Sequence, residues 1–274
     1  MPPPAGVTRF WRPKGLPGVS ALRAAFTNQT FTPHSHDALV IAVTEEGHSS
    51  YTSRGRSDEA APDRLLVFNP AEPHAGHMRH SHFWRYRALY LHEKALGRLV
   101  PATGMITLPG FSRNALELPG LIAQVLAAHA ALEAGDEDEG RERLVEALGQ
   151  LFTHGDRQPP PPLAATDRAG VDHTLRRIRA DYQQRITIEG LAADAGLSPF
   201  QLVRQFKRHT GMAPHAHLVQ VRLAHAIRRL AAGVDIATAA SDAGFYDQSA
   251  LTRHFKRAYG ITPGHYVRAR RHTG

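Results

Sequence analysis

A near-duplicated segment is the feature that most constrains how this 274-residue chain can fold. The stretch FQLVRQFKRHTGMAPHAHL, residues 200–218, returns 49 positions later as SALTRHFKRAYGITPGHYV, residues 249–267. Upstream of each copy the offset is 48, so that Gly196 aligns with Gly244 and the second copy has one extra residue after its glycine. Each copy therefore predicts one supersecondary unit of the same kind.

The residues of each copy are typical of two helices joined by a tight turn. In the first copy, a short helix with one apolar face ends at Gly196, which permits the turn. Ser198 is a favoured N-cap residue, and Pro199 suits the first position of a second helix that should stop at Gly211. The side chains expected to be buried on the two second helices, four residues apart, are Leu202, Phe206, Leu251 and Phe255.

The second helix of such a unit fits the major groove of DNA, where arginine suits guanine, glutamine suits adenine and Thr or Phe can pack on a thymine methyl group. The side chains off the buried faces that we predict to contact bases are Phe200, Gln201, Val203, Arg204, Gln248, Ser249, Thr252 and Arg253. Those placed for phosphates are Lys207, Arg208, Lys256 and Arg257. The alternative, ordinary solvated charges on structural helices, is weakened by the presence of two copies.

The charge distribution agrees with a nucleic-acid partner. The chain carries a formal net charge of +8. Residues 168–274 contain 17 Lys and Arg against 7 Asp and Glu, whereas the rest of the chain contains 16 against 18. Such an excess in one part of a chain indicates a polyanion as its partner, usually nucleic acid.

The chain divides at a proline-rich connector. Four consecutive prolines within residues 156–168 prevent a helix there. We therefore predict an N-terminal domain over 1–155 and a DNA-binding domain over 169–274. In the second domain, helical spacing predicts a leading helix over 171–184 and a helix over 214–233 that connects the two units.

The N-terminal domain combines short β runs with a helical hairpin. The runs ALVIAVT, RLLVFNP and RYRALYL, within residues 19–91, predict a small antiparallel barrel or sandwich. Residues 118–155 contain two Ala- and Leu-rich helical stretches broken by the acidic turn GDEDEG. The predicted fold class is α+β with two domains, an antiparallel β-barrel or sandwich with a helical hairpin and then an all-α domain.

Features that the sequence lacks exclude several kinds of site. Without cysteine, the chain has no disulfides, thiolate metal sites or cysteine nucleophiles. No apolar run approaches the roughly 20 residues that a membrane span needs. The first residues, MPPPAGVTRFW, match neither a signal peptide nor a transit peptide. We expect a soluble, cytoplasmic protein with no membrane partner.

The two units together resemble the DNA-binding domain of the AraC/XylS family of bacterial transcription regulators. GLSPFQLVRQFKRHTGMAPHAHL and GFYDQSALTRHFKRAYGITPGHYV look like the two helix-turn-helix signatures of that family, in the same order. The resemblance implies a module that places two reading helices in adjacent major grooves of promoter or operator DNA and recruits or blocks RNA polymerase. Val203 is apolar where the family often has a polar residue, so the first unit is expected to read fewer bases.

The N-terminal part resembles the cupin-like effector domain of the same family. FTPHSHDALVIAVTEEG and RLLVFNPAEPHAGH match its His-x-His stretch and its Asn-Pro-x-x-Pro-His turn. The resemblance implies a small-molecule effector, a hairpin that forms a homodimer and an N-terminal arm over the effector pocket. Tyr86 and Arg87 are consecutive residues of a predicted strand, so only one of the two side chains can face inward. The side chains predicted to bind effector are Trp11, Arg12, His34, His36, His74 and Arg87.

Three of these histidines are also candidate metal ligands. His34 and His36 lie two apart, hence on one face of an extended strand, and His74 could join them across the barrel. Three imidazoles suit Zn, Fe, Ni or Cu, so a divalent metal is a candidate cofactor. Metal-binding cupins usually place a Glu a few residues after the His pair, where this chain has Val40 and Ile41. The same histidines could instead hydrogen-bond an anionic effector or pack.

Two functions of different classes follow. The favoured one is an AraC-type sequence-specific transcription regulator without catalytic residues, in which an effector shifts an equilibrium between arrangements of the two domains. The alternative is a metal-dependent cupin enzyme fused to a DNA-binding module. Against the enzyme stand the missing Glu and the lack of P-loop, HExxH, GxSxG and Rossmann motifs.

Overall fold

A computed structural model describes residues 8–78, 82–155 and 168–271 of the chain. Its strands are β1 (Thr8–Trp11), β2 (Val19–Phe26), β3 (Thr30–His34), β4 (Ala38–Gly47), β5 (Ser49–Ser53), β6 (Arg56–Ala60), β7 (Leu65–Phe68), β8 (His74–His77), β9 (Trp84–His92) and β10 (Ala115–Leu116). They form two antiparallel sheets, one with the order β1-β2-β9-β4-β7-β10 and one with the order β3-β8-β5-β6. The predicted antiparallel β-domain is confirmed.

Two central strands, β4 and β9, give the larger sheet two apolar faces. They pair over their whole lengths, with Val40 opposite Tyr90 and Ile41 opposite Leu89. Successive side chains of a strand point to opposite faces. Val40 accordingly packs in the core shared with the smaller sheet, and Ile41 packs in the core under the helices.

Helices α1 (Glu93–Ala102), α2 (Pro119–Ala134) and α3 (Glu137–Thr153) cover the outer face of the larger sheet. Helices α2 and α3 are the predicted hairpin. The turn between them is shorter than predicted, because the acidic segment enters the first turn of α3. Asp136 caps that helix by accepting a hydrogen bond from the amide N of Glu139 at 3.2 Å, and acidic side chains are favourable at a helix N-terminus.

The C-terminal domain is all helical. Its helices are α4 (Arg168–Asp181), α5 (Ile188–Asp194), α6 (Pro199–Thr210), α7 (Pro214–Ala231), α8 (Ile236–Asp242), α9 (Gln248–Tyr259) and α10 (Pro263–Arg271). The two predicted units are α5 with α6 and α8 with α9, and α7 is the predicted connecting helix. Neither α1 nor α10 was predicted from the sequence.

The two units belong to different cores. The core around the first unit consists of Val171, Ile178, Leu191, Ala192, Leu202, Phe206 and Leu218, all from the C-terminal domain. The second unit packs into one continuous core with the β-domain, in which Leu251, Phe255 and Tyr266 lie with Leu22 and Phe26. The second unit is therefore held by both domains.

The predicted linker, residues 156–168, lies outside the described residues apart from Arg168, which is the first residue of α4. Within the part of the chain that the structure describes, no helix is both long and apolar enough to cross a membrane.

Candidate DNA-reading helices and effector cavities

The reading helix of the first unit, α6, begins with a reciprocal cap. The Ser198 hydroxyl accepts a hydrogen bond from the amide N of Gln201 at 3.3 Å, and the Gln201 side-chain oxygen accepts one from the amide N of Ser198 at 3.0 Å. This capping box satisfies two amides that a helix start otherwise leaves unpaired. The predicted contact of Gln201 with adenine competes with this cap.

The reading helix of the second unit, α9, is capped at the aligned position. Asp247, 49 residues after Ser198, accepts a hydrogen bond from the amide N of Ala250 at 2.6 Å. Arg204 and Arg253 are both exposed. The four side chains predicted to be buried on the two helices are all buried, namely Leu202, Phe206, Leu251 and Phe255.

The other side chains predicted to contact DNA also reach the surface. Those exposed besides the two arginines are Phe200, Gln201, Lys207, Arg208, Gln248, Ser249, Lys256 and Arg257, while Val203 and Thr252 are half-buried. Within the described residues, Arg204, Lys207 and Arg253 form no ion pair with a carboxylate. Their charges are therefore available to guanine or phosphate.

One exposed aromatic residue was missed by sequence reasoning. Tyr246 is 97% exposed and directly precedes the N-cap Asp247, and Phe200 is 74% exposed in the first turn of α6. The N-terminal residues of a recognition helix are those that reach base edges. The run GFYD before α9, with two aromatics beside a cap residue, was the available signal for Tyr246.

Three histidines, from β3, from the residues just after it and from β8, meet inside the β-domain. His34 ends β3 and pairs in register with His74 at the start of β8, and His36 follows two residues later. The ring centres are 4.4 Å apart for His34 and His74, 4.9 Å for His34 and His36, and 5.3 Å for His36 and His74. One nitrogen of each ring lies within 4.8 Å of those of the other two. The sequence predicted this convergence.

Hydrogen bonds to backbone carbonyls orient two of the rings. Nδ1 of His34 lies 2.8 Å from the Thr32 carbonyl oxygen, and Nδ1 of His74 lies 2.9 Å from that of Glu72. Since a carbonyl only accepts, each Nδ1 carries the proton and each Nε2 keeps a lone pair. Burial lowers the pKa of His34 and His36 well below the usual value and lowers that of His74. The cluster is therefore neutral at pH 7.

The cluster opens into a cavity of about 80 Å³ between the two sheets. The ring centre of Tyr259, the last residue of α9, lies 5.4 Å from that of His36 and 6.0 Å from that of His34. The second unit thus contributes a wall of this cavity. Its other aromatic and aliphatic walls include Phe31, Val40, Ala42, Leu66, Phe68, Trp84, Tyr86 and Tyr90.

Tyr86, not Arg87, faces the histidine cavity. Arg87 points to the opposite face of the sheet, where it donates hydrogen bonds to Glu45 at 2.9 Å, Glu133 at 2.6 Å and His129 at 2.9 Å. Arg87 was predicted to bind effector, but strand alternation turns its side chain away from the histidine cavity and toward the helical hairpin. Burial, and then the charge of Arg87, lowers the pKa of His129 to about 4.

The N-terminal arm, which consists of β1 and the residues just after it, places its two predicted effector residues differently. Trp11 packs edge-on against His129, with ring centres 5.0 Å apart, so it lies on the hairpin side and does not line the histidine cavity. Strand alternation turns Trp11 to this face, whereas its neighbour Phe10 packs in the core on the other face. Arg12 donates a hydrogen bond to the Tyr266 hydroxyl at 2.9 Å and lies 5.0 Å from the centre of that ring. Arg12 therefore joins the arm to α10.

A larger cleft, of about 610 Å³, lies between the two domains. Its polar lining from the β-domain includes Arg12, His36, Asp37 and His92, and that from the helical domain includes Arg179, His217, Gln220 and Arg228. Tyr259 borders this cleft as well as the histidine cavity. Arginines outnumber carboxylates in the cleft, which therefore favours an anionic occupant.

Comparison with known protein families agrees with both halves of the molecule. Residues 16–152, half of the chain, match the family model described as the AraC-like ligand binding domain. Residues 191–269 match the one described as a helix-turn-helix domain. The chain belongs to the AraC family of transcription regulators. Both predicted signatures of this AraC-family regulator fall within the second match.

Individual AraC-family relatives are also similar in sequence. The chain is 27% identical to the uncharacterized HTH-type transcriptional regulator YbfI of Bacillus subtilis (strain 168) over 233 residues, which cover 84% of this chain and 85% of YbfI. It is 35% identical to the HTH-type transcriptional activator RhaS of Pectobacterium atrosepticum over 99 residues, 36% of each chain. The likeness to YbfI extends over both domains.

Solved structures show the same two-domain fold. ToxT from Vibrio cholerae O395 superposes with a TM-score of 0.53 at 10% identity, over 92% of this chain and 98% of ToxT. ToxT with a bound unsaturated fatty acid superposes with a TM-score of 0.52 at 11% identity, over 91% and 94%. This likeness is one of fold. The regulator thus has a ligand-binding domain and a DNA-binding domain, and these relatives give no support to the cupin-enzyme alternative.

Proposed function

We propose that the regulator binds promoter DNA through α6 and α9, and that an effector in the cleft between the domains sets how α9 meets the DNA. The core shared by the second unit and the β-domain supports this proposal most directly. Phe255 and Tyr259 of α9 and Tyr266 of α10 pack on the β-domain. Any rearrangement of that domain therefore acts on the second reading helix.

The cleft indicates the chemical class of the effector. A volume of about 610 Å³ lies within the roughly 300–1,000 Å³ typical of small-molecule sites. Arg179 and Arg228, both exposed, form no ion pair within the described residues, and Arg12 faces them from the arm. A carboxylate or phosphate bound here would bridge the two domains. We therefore propose an anionic organic effector that contacts Arg12 and His36.

The remaining partners follow from the family. We propose that the regulator is a cytoplasmic activator that recruits RNA polymerase, and that α2 and α3 pair with the same hairpin of a second copy. The name of the relative RhaS as an activator supports the first point. Exposed side chains along both hairpin helices support the second. No catalytic residue forms part of the proposal.

DNA binding by the full chain tests the reading function. Fluorescence anisotropy on labelled duplexes that tile the upstream region of the regulator's own gene should detect at least one specific site. Lys207→Ala should weaken binding to all duplexes alike and reduce the slope of log affinity against log salt by about one, because one phosphate contact is lost. Equal affinity of the wild-type chain for every duplex would contradict the proposal, and an unchanged slope would remove Lys207 from the contact set.

Two arginines on one helix test the effector site. A panel of small carboxylates and sugar phosphates is screened by thermal shift with the full chain. For compounds that stabilise the wild type, Arg179→Gln should remove most of the shift. Arg176→Gln, an exposed neighbour on α4 that does not line the cleft, should keep it. Loss in both variants, or in neither, would contradict an anion site in the cleft.

A further inference from the structure

The histidine cluster contains ring nitrogens whose lone pairs accept no hydrogen bond from any described residue. The Nδ1 atoms of His34 and His74 each donate to a backbone carbonyl, which leaves their Nε2 atoms to act as ligands. No hydrogen bond within the described residues reaches either Nε2. Neutral acceptors that face one another in a buried site repel unless a cation or a donor lies between them.

The separation of these nitrogens suits a transition metal. Zn²⁺ binds imidazole nitrogen at about 2.0–2.1 Å, which places the ligand nitrogens of a tetrahedral site about 3.3 Å apart. The three nitrogens already lie within 4.8 Å of one another. The Nδ1–H bonds to carbonyls are the orientation that metal-bound histidines adopt.

The surrounding backbone fixes the three side chains in this arrangement. The carbonyl of His36 accepts a hydrogen bond from the amide N of Ala71 at 2.8 Å. Ala71 has a φ of 60°, a strained value for a residue with a Cβ, in the turn that leads to His74. The buried carboxylate of Glu72 anchors the same turn by accepting from Ser53 at 2.7 Å and from Asn114 at 2.7 Å. One turn therefore positions His36 and His74 together.

The size and chemistry of the cavity limit which class of ligand it can bind. A volume of about 80 Å³ is well below the roughly 300–1,000 Å³ of organic ligand sites but accommodates an ion with a few waters. No carboxylate lines the cavity. Val40 forms part of its wall, at a position where metal-binding cupins usually have a Glu ligand. Three imidazoles without a carboxylate select Zn²⁺, Ni²⁺, Co²⁺ or Cu²⁺ over Mg²⁺ and Ca²⁺.

The geometry points to a binding site for one divalent transition-metal ion, with His34, His36 and His74 as its protein ligands and the fourth position open to water or a small anion. The site lies beneath Tyr259, where the β-domain meets α9. It does not rest on the anionic effector proposed for the cleft, with which it shares only His36 and Tyr259. The two sites can therefore be tested separately.

Metal binding by tag-free, full-length protein tests this site. The chain is stripped with a chelator, dialysed and titrated with Zn²⁺ or Co²⁺. Elemental analysis should find about one Zn²⁺ per chain, and Co²⁺ should give the visible absorption of a low-coordinate nitrogen site. His36→Gln and His74→Gln should each weaken Zn²⁺ binding by about 100-fold or more. His77→Gln, which changes a histidine on the same strand outside the cavity, should bind as the wild type does.

A second measurement needs no change in the cluster. Trp84 lines the cavity, so Co²⁺ or Cu²⁺ in the site should quench its fluorescence in a Trp11→Phe variant, and Zn²⁺ should compete. Absence of stoichiometric Zn²⁺ from the wild type would overturn the proposal. Retention of full binding by His36→Gln and His74→Gln, or equal loss in His77→Gln, would overturn it too. None of these results depends on DNA binding or on the thermal-shift screen.

Discussion

The two helix-turn-helix units are close in sequence but differ in what their buried faces contact. Phe206 of the first unit packs only among residues of the helical domain. Phe255, at the aligned position, packs in a core that also contains strands of the effector-binding domain. The two reading helices are similar in sequence, but only the second shares a core with the β-domain. The effector-binding domain approaches the first unit at the end of α6, where a Cβ on Gly211 would lie 3.1 Å from Pro73.

One aligned pair shows how small a change separates the two environments. His217 and Tyr266 stand 49 residues apart, and each packs edge-on against the buried phenylalanine of its own unit, at 5.5 Å and 5.9 Å. Tyr266 also accepts the hydrogen bond from Arg12 of the N-terminal arm. The Nε2 atom of His217 is buried without a partner among the described residues. Only the second unit uses this position to join the domains.

The largest expected effect comes from the two buried phenylalanines. Phe206→Ala and Phe255→Ala should each cost about 3–5 kcal/mol, because each removes a fully buried ring. Phe255→Ala should also lower the unfolding temperature of the β-domain, with which it shares a core, whereas Phe206→Ala should not. Both tryptophans of the chain, Trp11 and Trp84, lie in the β-domain, so fluorescence reports its unfolding. An equal response of the fluorescence transition to both variants would break the comparison.

The two turn glycines should differ next. Gly196 and Gly244 have φ values of 66° and 78°, in the left-handed region, so alanine costs about 1–2 kcal/mol at either position. A Cβ at Gly196 meets nothing within 4 Å, whereas one at Gly244 would lie 2.7 Å from the Cα of Gln183. Gly244→Ala should therefore destabilise the chain by about 2 kcal/mol more than Gly196→Ala. Chemical denaturation of both variants measures the difference, and equal midpoints would contradict it.

Replacing the arginines of the two reading helices should have a smaller effect, and that effect is on the affinity for DNA. Arg253→Ala and Arg204→Ala should each cost about 1–3 kcal/mol on the specific site and relax selection at one base pair. The loss should be larger for Arg253→Ala, since α6 uses Gln201 in its cap and presents the apolar Val203. Binding of both variants to specific and random duplexes measures the loss of binding free energy at each arginine. The same loss on random DNA would show that Arg253 contacts phosphate instead.

The smallest effect is the pH dependence of stability that one histidine of the first unit contributes. Burial, and then the charge of Arg179, lowers the pKa of His217 to about 4, below the ordinary value of about 6.5. The unfolded chain thus binds a proton at this site more readily than the folded chain. Stability from neutral His217 is complete above about pH 6.5 and is lost as the pH falls toward 4. His217→Tyr, the residue of the second unit, should reduce this loss by about 1–2 kcal/mol at pH 5.

The control for this prediction lies on the other side of the molecule. The pKa of His129 is also lowered to about 4 by burial. Its contribution and that of the histidine cluster persist in His217→Tyr and form the background of the measurement. Urea unfolding of wild type and variant at pH 5 and pH 7.5 gives the comparison. A variant that loses as much stability as the wild type between these two pH values would show that His217 does not titrate as inferred.

Much of the fold followed from local pattern. The caps at Ser198 and the glycine turns predicted where α6 begins and ends, and the spacing of apolar residues predicted its buried side. The His-x-His spacing and the Asn-Pro-x-x-Pro-His turn predicted that His34, His36 and His74 would converge. Missed elements such as α10 lack so strong a signal, because a short helix after Pro263 is marked by its cap alone.

Side-chain direction on the strands could not be predicted in the same way. Alternation showed that only one of Tyr86 and Arg87 faces inward, but both faces of β9 are covered, one by the smaller sheet and one by α2. A strand buried on both sides gives no polar face from which to fix its register. The ion pairs of Arg87 with Glu45 and Glu133 depend on the tertiary packing of β4 and α2 beside β9.

The sequence by itself determined that this chain has two helix-turn-helix units, a connecting helix, a basic DNA-binding half and a β-domain with a histidine cluster. These features depend on residues close together in the chain, where periodicity, caps and turns act. The tertiary structure alone decided that the second unit shares a core with the β-domain and that Tyr259 covers the histidines. Such contacts join segments about 200 residues apart, and they depend on the fit of folded surfaces, which local spacing does not encode.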